Sequence, residues 1–465
     1  MKMLSLFTGA GGLDWGFHKA GFRTLSALDI KYDSARTYAE NFGVRVILEP
    51  VLLDNAYSVG DIVQSRLGYT LKNRPAVLLG GPPCQDFSIM RGIKEERAGT
   101  RTIRGRLYLQ YARYLAVVKP AAFVFENVPG LLTSNSGSDI KAILDDFTHL
   151  NLLPSRWREQ LRFDPNGTAP LPDDLAAEEG SIPRYVLVYK GVIDSSWHGV
   201  PQQRKRLFII GIREDIRFGL DHVLALKEAL LGTPALRKYP LTALEALEGR
   251  VLTELEDAYR EIVREYQGAF EGKRAVDDYL RLHGGKPGDP LFEQALEEHA
   301  LILQSMGWSG ISLTELGEES FPDGTHIRAR ESSAVRERMR EIPPGENHLA
   351  VRGTKHEVEG KGFSLVYRRL HPLRPAYTVV AHGGGGTWGY HYRRHLSRLT
   401  NRERARLQSF PDSFTFWGTQ TEVRAQIGEA VPPLLSWRIA QALLELLKST
   451  GAIQEEVLLA EGQQR

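Results

Sequence analysis

Residues Met1–Gly16 read MKMLSLFTGAGGLDWG. An apolar run, Met3–Phe7, enters a glycine turn, and an amphipathic stretch, Gly12–Ala20, leaves it. This is the grammar of a strand, a tight turn and a helix. Glycines let the backbone turn sharply and come close to a ligand at a helix N-terminus. The same pattern also serves as an ordinary strand-to-helix turn, and both readings stand at this point. The apolar run is too short for a membrane span, and its passage straight into glycines is unlike a signal peptide.

The same alternation continues for about 215 residues. Strands are expected at Thr24–Leu28, Val44–Leu48, Val77–Gly80, Ala122–Glu126, Tyr185–Tyr189 and Leu207–Ile212. Helices are expected at Asp33–Phe42, Leu107–Val118 and Ser138–Leu150. Nearly all-apolar strands between helices predict an α/β fold, a mostly parallel, doubly wound sheet covered on both faces. Ligands of such sheets sit beyond the carboxyl ends of the strands. From about Arg213 the pattern changes to charge-dense helical stretches at Leu255–Gln267 and Leu291–Gln304, then a basic segment. A final amphipathic helix is expected at about Leu434–Leu447.

The chain has 465 residues, 42% hydrophobic and 25% charged, which suits two or three globular domains. Formal net charge is +2, but His326–Phe410 carries 17 Lys+Arg against 7 Asp+Glu. That segment is therefore about +10 and the remainder about −8. Such separation fits a surface facing a polyanion. An arginine-rich region without that role is the alternative. The chain holds 1 cysteine. Internal disulfides and multi-cysteine zinc sites are excluded, and a reducing cytosol fits.

That cysteine is Cys84, in GGPPCQDFS (Gly80–Ser88), at the end of an expected strand. A lone thiol is usually buried and inert. Here two prolines fix its approach and polar Gln85, Asp86 and Ser88 follow, which fits a thiol exposed to a cleft and activated as thiolate. Phe123–Val128 reads FVFENV and ends another strand with Glu126 on the same sheet edge. Burial there raises a carboxyl pKa and suits it to proton donation. Gln202–Arg206, QQRKR, precedes a further strand, and alternation sets Arg204 and Arg206 on one face. Asp29 ends the second strand, where a carboxylate can accept ribose hydroxyls or cap a helix. Gly60-Asp61-Ile62 is equally ambiguous. GAGG lacks the GxGxxG spacing of a dinucleotide site, so a dehydrogenase fits poorly while an adenosyl ligand still fits.

Taken in order, FTGAGG, Asp29, GDI, GGPPCQDFS, FENV, VPQQRKR, RPAYTV with LTNRERARLQSFPD, and QIGEAVPP resemble the carbon-5 cytosine DNA methyltransferases. The match spans residues 4 to about 445, except about 213–366. It implies a sheet of the S-adenosylmethionine-dependent methyltransferase type with a second, smaller DNA-recognition domain. The catalytic part is expected at 1–215 plus 421–465, and the recognition part at 216–420. By the resemblance, Cys84 is the nucleophile at cytosine carbon-6, Glu126 meets N3 and the exocyclic amine, Arg206 meets O2, and Arg204 supports them. S-adenosylmethionine is expected against Phe7, Gly9, Gly11, Gly12, Asp29 and Ile30. Asp61, Ile62, Gly81 and Pro83 extend that set, with Glu429, Ala430 and Val431 completing it. No metal is implied.

Duplex DNA is the implied partner, with the target base flipped out of its stack. Gln85, Ser88, Arg91, Arg97, Arg101 and Arg104 resemble the family's mobile DNA-closing loop, with Ile89 or Met90 as an apolar wedge. Arg393 and Arg394 are further expected DNA contacts. His391-x-x-x-His395 has helical metal-ligand spacing, but it lacks cysteine or acidic companions and reads as DNA contact or structure. Glu429 departs from the family pattern, which has asparagine there. Its carboxylate could pair with the cofactor's ammonium or repel its carboxylate.

The first motif begins at Leu4, which implies a stand-alone bacterial modification enzyme. It is expected to work as a monomer in the cytoplasm, off the membrane, with a restriction endonuclease as a functional counterpart. A tRNA cytosine methyltransferase is the nearest alternative, but its small variable region and Cys-Phe-Thr signature are missing here. A catalytically silent DNA-binding protein would have lost the cysteine or the glutamate.

Overall fold

The computed structural model describes residues 1–48, 75–83, 107–155, 180–267, 274–358, 366–381, 389–396 and 398–453. Strands β1 (Lys2–Leu6), β2 (Arg23–Asp29), β3 (Val46–Leu48), β4 (Val77–Gly80), β5 (Ala122–Asn127), β6 (Tyr185–Asp194) and β8 (Lys205–Arg213) form one sheet. Their order is β3-β2-β1-β4-β5-β8-β6. The β3-β2-β1-β4-β5 run is parallel throughout, and β8 alone runs against its neighbours on both sides. The expected α/β class with a mostly parallel sheet is what the chain forms.

Side-chain alternation along these strands splits the interior into two layers. Met3, Val77, Leu79, Val124 and Ile210 face one layer, and Leu4, Leu78, Phe123, Phe125 and Ile209 face the other. The first layer is covered by α1 (Gly12–Lys19) and the C-terminal helix Pro433–Ser449. The second is covered by α3 (Leu107–Val118) and α4 (Ser138–Thr148). Between β2 and β3 runs α2 (Tyr32–Phe42). Tyr111 fixes the spacing of the central strands, since its hydroxyl donates to the carbonyls of Leu78 (3.1 Å) and Val124 (2.9 Å).

The first layer does not stop at Arg213. Leu226, Leu230, Ile302, Met306 and Trp308 belong to it. The helices Leu220–Ala229 and Pro290–Ser305 thus extend the sheet's own core. A third cluster joins residues 235–295 to Leu370–Val379 and Leu399–Ile427. A small satellite of Met339, Ile342, Val351, Tyr367 and Tyr390 stands apart.

Burial lowers the pKa of several histidines. His18, His198 and His283 fall to about 4 and His371 to about 3. Each is neutral when folded, whereas the unfolded chain takes up a proton near the ordinary 6.5. The unfolded state therefore binds more protons as pH falls from about 6.5 to about 4, and stability is lost across that window. Asp14 works the other way, because burial raises it to about 6 and its cost fades in acid. His326 and His391 are lowered as well, while Asp29, Asp33 and Glu126 are raised like Asp14, so six histidines stand against four carboxyls. The urea midpoint is expected to fall steadily between pH 6.5 and 4, and glutamine at His198, His283 and His371 together should flatten that slope.

Candidate active site

The first turn matches its sequence. Phe7, Gly9 and Gly11 have positive φ (55°, 53° and 93°), which glycine permits freely and Phe7 bears as strain. The Gly9 N–H donates to Asp29 Oδ2 at 2.7 Å, and the Lys31 N–H donates to Oδ1 at 2.8 Å. Asp29 thus ties the end of β2 to the glycine turn beside it. Burial raises its pKa, while these backbone donors hold it down. A Cβ on Gly9 would meet open space, so the turn leaves room for a ligand at that point. Ile30 is 65% exposed beside it. Gly11 and Gly12 both pack closely: a Cβ on Gly11 would sit 2.3 Å from Phe42 Cε2, and one on Gly12 would sit 2.4 Å from the Val431 carbonyl and 3.0 Å from Ala430 Cβ.

The central edge gathers the expected polar groups. Glu126 Oε1 lies 3.0 Å from Arg206 Nε, with both side chains largely covered. Burial pushes the Glu126 carboxyl up, and the charges of Arg206 and Arg204 pull it back. Antiparallel β8 makes this pairing possible, because its first residues lie at the edge where β5 ends. The Gly80–Pro83 corner lies against the same carboxylate. A Cβ on Gly81 would stand 2.7 Å from Glu126 Oε2. Asn127 Nδ2 donates to the Pro82 carbonyl at 3.4 Å. Pro83 is exposed at the end of this corner.

Arg204 is 1% exposed. Its Nη1 and Nη2 donate to the carbonyls of Val379 and Gly428, both at 2.9 Å. It therefore brings the RPAYTV and QIGEAVPP stretches onto the sheet edge. Gln202 does the same work nearby and was missed by the sequence reading. Its Oε1 accepts the Val379 N–H at 2.6 Å, and its amide nitrogen donates to Gln408 and to the Leu407 carbonyl. A short parallel ladder, β7 (Gln202–Gln203) with β9 (Ala376–Tyr377), closes the junction. An uncharged amide pair inside a basic run was the available signal. At the mouth, Glu429 Oε2 meets Lys31 Nζ at 2.5 Å.

Several expected residues lie outside the described segments: Cys84, Gln85, Ser88, Ile89, Met90, Arg91, Arg97, Arg101, Arg104, Asp61 and Ile62. Arg393 and Arg394 are described and are engaged internally. Arg393 pairs with Glu265 (2.7 Å) and Glu261 (3.1 Å), and Arg394 donates to the Glu265 carbonyl (3.1 Å). His391 is fully buried beside Glu403 at 3.9 Å. No trio of His, Cys, Asp or Glu that could hold a metal occurs among the described residues.

The basic segment is also less of a surface than its charge suggests. Arg369, Arg402, Arg404 and Arg406 are at most 1% exposed. Arg402 bonds Asp323 (2.8 Å) and the Phe414 carbonyl (3.1 Å), and Arg406 bonds Asp412 and the Ile311 carbonyl (2.8 Å). Burial of these cations is possible because carbonyls and carboxylates surround them.

Comparison with known proteins shows the family of the chain. The family model of the C-5 cytosine-specific DNA methylase matches residues 1–153 and 291–445. The DNA (cytosine-5-)-methyltransferase M.ApeKI of Aeropyrum pernix is 46% identical, over 96% of this chain and 98% of its own. The type II methyltransferase M.NgoFVII of Neisseria gonorrhoeae is 31% identical, over 96% of this chain and 86% of its own. A solved E. coli prophage chain assigned as a DNA modification methyltransferase shares the fold. Its TM-score is 0.57 at 21% identity, covering 96% of this chain and 99% of that one. The chain belongs to the C-5 cytosine-specific DNA methylase family and is a DNA (cytosine-5-)-methyltransferase.

Two outcomes test the architecture. Arg204→Ala strands two buried carbonyls and should lower unfolding free energy by about 2–4 kcal/mol in urea titrations. Gly81→Ala crowds Glu126, and should cut methyl transfer about tenfold or more with little change in melting temperature.

Proposed function

We propose that this chain transfers a methyl group from S-adenosylmethionine to carbon-5 of a flipped-out cytosine in a specific duplex DNA sequence, through a covalent Cys84 adduct. The observation that supports it is the junction at the sheet edge. The corner leading into Cys84 is bonded to Asn127 and abuts Glu126, and Arg206 pairs with that glutamate.

Cytosine carbon-5 is a weak nucleophile. Addition of the Cys84 thiolate to carbon-6 forms a C–S bond and moves the ring's electron pair toward carbon-5. Glu126, its carboxyl raised by burial, donates to N3 and accepts from the exocyclic amine, so the ring bears the added charge. Arg206 neutralises Glu126 in the free protein and turns to cytosine O2 when the base enters. Arg204 holds the surrounding segments in register. The cofactor, when bound, would supply an electrophilic methyl group on a sulfonium; carbon-5 would take that methyl with its electron pair, and the sulfur would keep the broken bond's pair as a neutral thioether. Loss of the carbon-5 proton then returns the electron pair to the ring, the C–S bond breaks and the thiolate leaves.

The residues at the first turn fit an adenosyl ligand. Gly9 opens onto free space, the buried Asp29 carboxylate retains lone pairs for ribose hydroxyls, and exposed Ile30 offers an apolar surface to a base. Phe7, Gly11, Gly81 and Pro83 complete the lining, with Asp61 and Ile62 as further expected ligands. Gly12, Ala430 and Val431 act by packing against each other.

Flipping the base costs a few kcal/mol, which DNA contacts must return. We assign these to Gln85, Ser88, Arg91, Arg97, Arg101 and Arg104, and base reading to residues 216–420. For Arg393 and Arg394, phosphate contact competes with their glutamate pairs. The type II methyltransferases among the relatives support a modification role beside an endonuclease of the same site. We propose a cytoplasmic monomer in that role. No helix among the described residues is long and apolar enough to cross a membrane.

Bisulfite sequencing of DNA from cells expressing the chain should find 5-methylcytosine in one sequence context. Cys84→Ser should lower that methylation by about a thousandfold or more. A fluorocytosine duplex should trap the wild type covalently. Unchanged methylation by the serine variant, or no adduct, would overturn the mechanism.

A further inference from the structure

Several arginines of the basic segment have a plain structural duty. Arg369, Arg402 and Arg406 are buried among carbonyls and carboxylates, and Arg393 and Arg394 are engaged with Glu265. Arg368 is different. It is half-buried, and its guanidinium lies over the Tyr377 ring, 4.0 Å from the centroid, while its Nη2 donates to the same residue's hydroxyl. No carboxylate among the described residues pairs with it. Its backbone is pinned, since the Arg368 carbonyl accepts the Tyr390 N–H at 3.1 Å and the Arg369 N–H donates to the Glu346 carbonyl at 3.0 Å. A guanidinium stacked on an aromatic face is held without being neutralised, so little side-chain freedom remains to be lost when its fork meets an acceptor. The short ladder gives its place. Tyr377 pairs with Gln203, and Arg206, which faces Glu126, follows three residues later. At about 3.3 Å per residue this is about 10 Å. Base pairs of a duplex are spaced about 3.4 Å apart, so Arg368 stands within a few base steps of the cytosine site.

We propose that Arg368 is a specificity-determining residue: held by Tyr377, it reads a guanine of the target sequence by donating to O6 and N7 in the major groove. This rests on the reading of a specific duplex as substrate given above. A phosphate would attract the same cation, but a phosphate contact carries no sequence information and a lysine serves it as a point charge. Two acceptors on one base edge call for two donors in a fixed fork, which a stacked arginine presents and a lysine does not. Tyr377 is then a positioning residue, because it sets the plane of that fork.

The test uses the full chain on a duplex library randomised around one cytosine and read by bisulfite sequencing. The wild type should demand guanine, on one strand or the other, close to the methylated cytosine. Arg368→Ala should relax one such position, its preference for guanine falling about ten- to a hundredfold, and keep the choice at the others. Arg368→Lys, which keeps the charge and loses the fork, should relax the same position. Placing 7-deazaguanine there, which lacks N7, should cost the wild type about tenfold in methylation and the alanine variant less than about twofold. Unchanged sequence preference in the alanine variant would overturn the proposal. Even weakening at every position, with recovery in the lysine variant, would reveal a phosphate contact and overturn it too, as would a target site without guanine nearby. A wild type that methylates no duplex at all would instead overturn the reading of the substrate.

Discussion

A guanidinium held between two backbone carbonyls organises this edge of the molecule. Arg204 sits where the sheet ends, and its two nitrogens reach Val379 and Gly428, which belong to segments far away in the chain. Buried carbonyls without donors are costly, so neither segment can drift from the arginine cheaply. Gln202 repeats the device two residues earlier, and the short β7–β9 ladder adds to it. The result is a rigid rim against which the softer chemistry can be set. Glu126 and Arg206 then face each other across 3.0 Å at that rim.

Charge at that rim is balanced against burial. Glu126 alone, at the end of a wholly apolar strand, would be driven toward its neutral form. The two arginines restrain the shift without removing it. A carboxyl raised in this way keeps its proton more readily than an exposed one, which suits it to donate to a base. The same trade recurs through the basic segment, where interior arginines survive because carbonyls and carboxylates enclose them.

Much of this was legible beforehand. The strands were visible because their residues are apolar on both faces, and the glycine turn because glycine takes its left-handed backbone without strain. Sequence order placed Glu126 at a strand end. The reverse direction of β8 was not legible, since periodicity carries no direction. The fate of the arginines was also hidden. Seventeen cations in one segment read as a surface, yet Arg369, Arg402 and Arg406 point inward toward partners contributed by other parts of the chain. Pairing of that kind depends on tertiary contacts that spacing cannot reveal. Lys31 gave no signal of its own, because its partner is a residue near the other end of the sequence.

The two-residue ladder between Gln202–Gln203 and Ala376–Tyr377 has an evolutionary consequence. It pins together the start and finish of a long excursion, like a handle riveted at both ends. Lengthening such a handle adds closure entropy only slowly. Stretches of the excursion that lie away from the shared core can accumulate insertions and deletions while the rivets stay put.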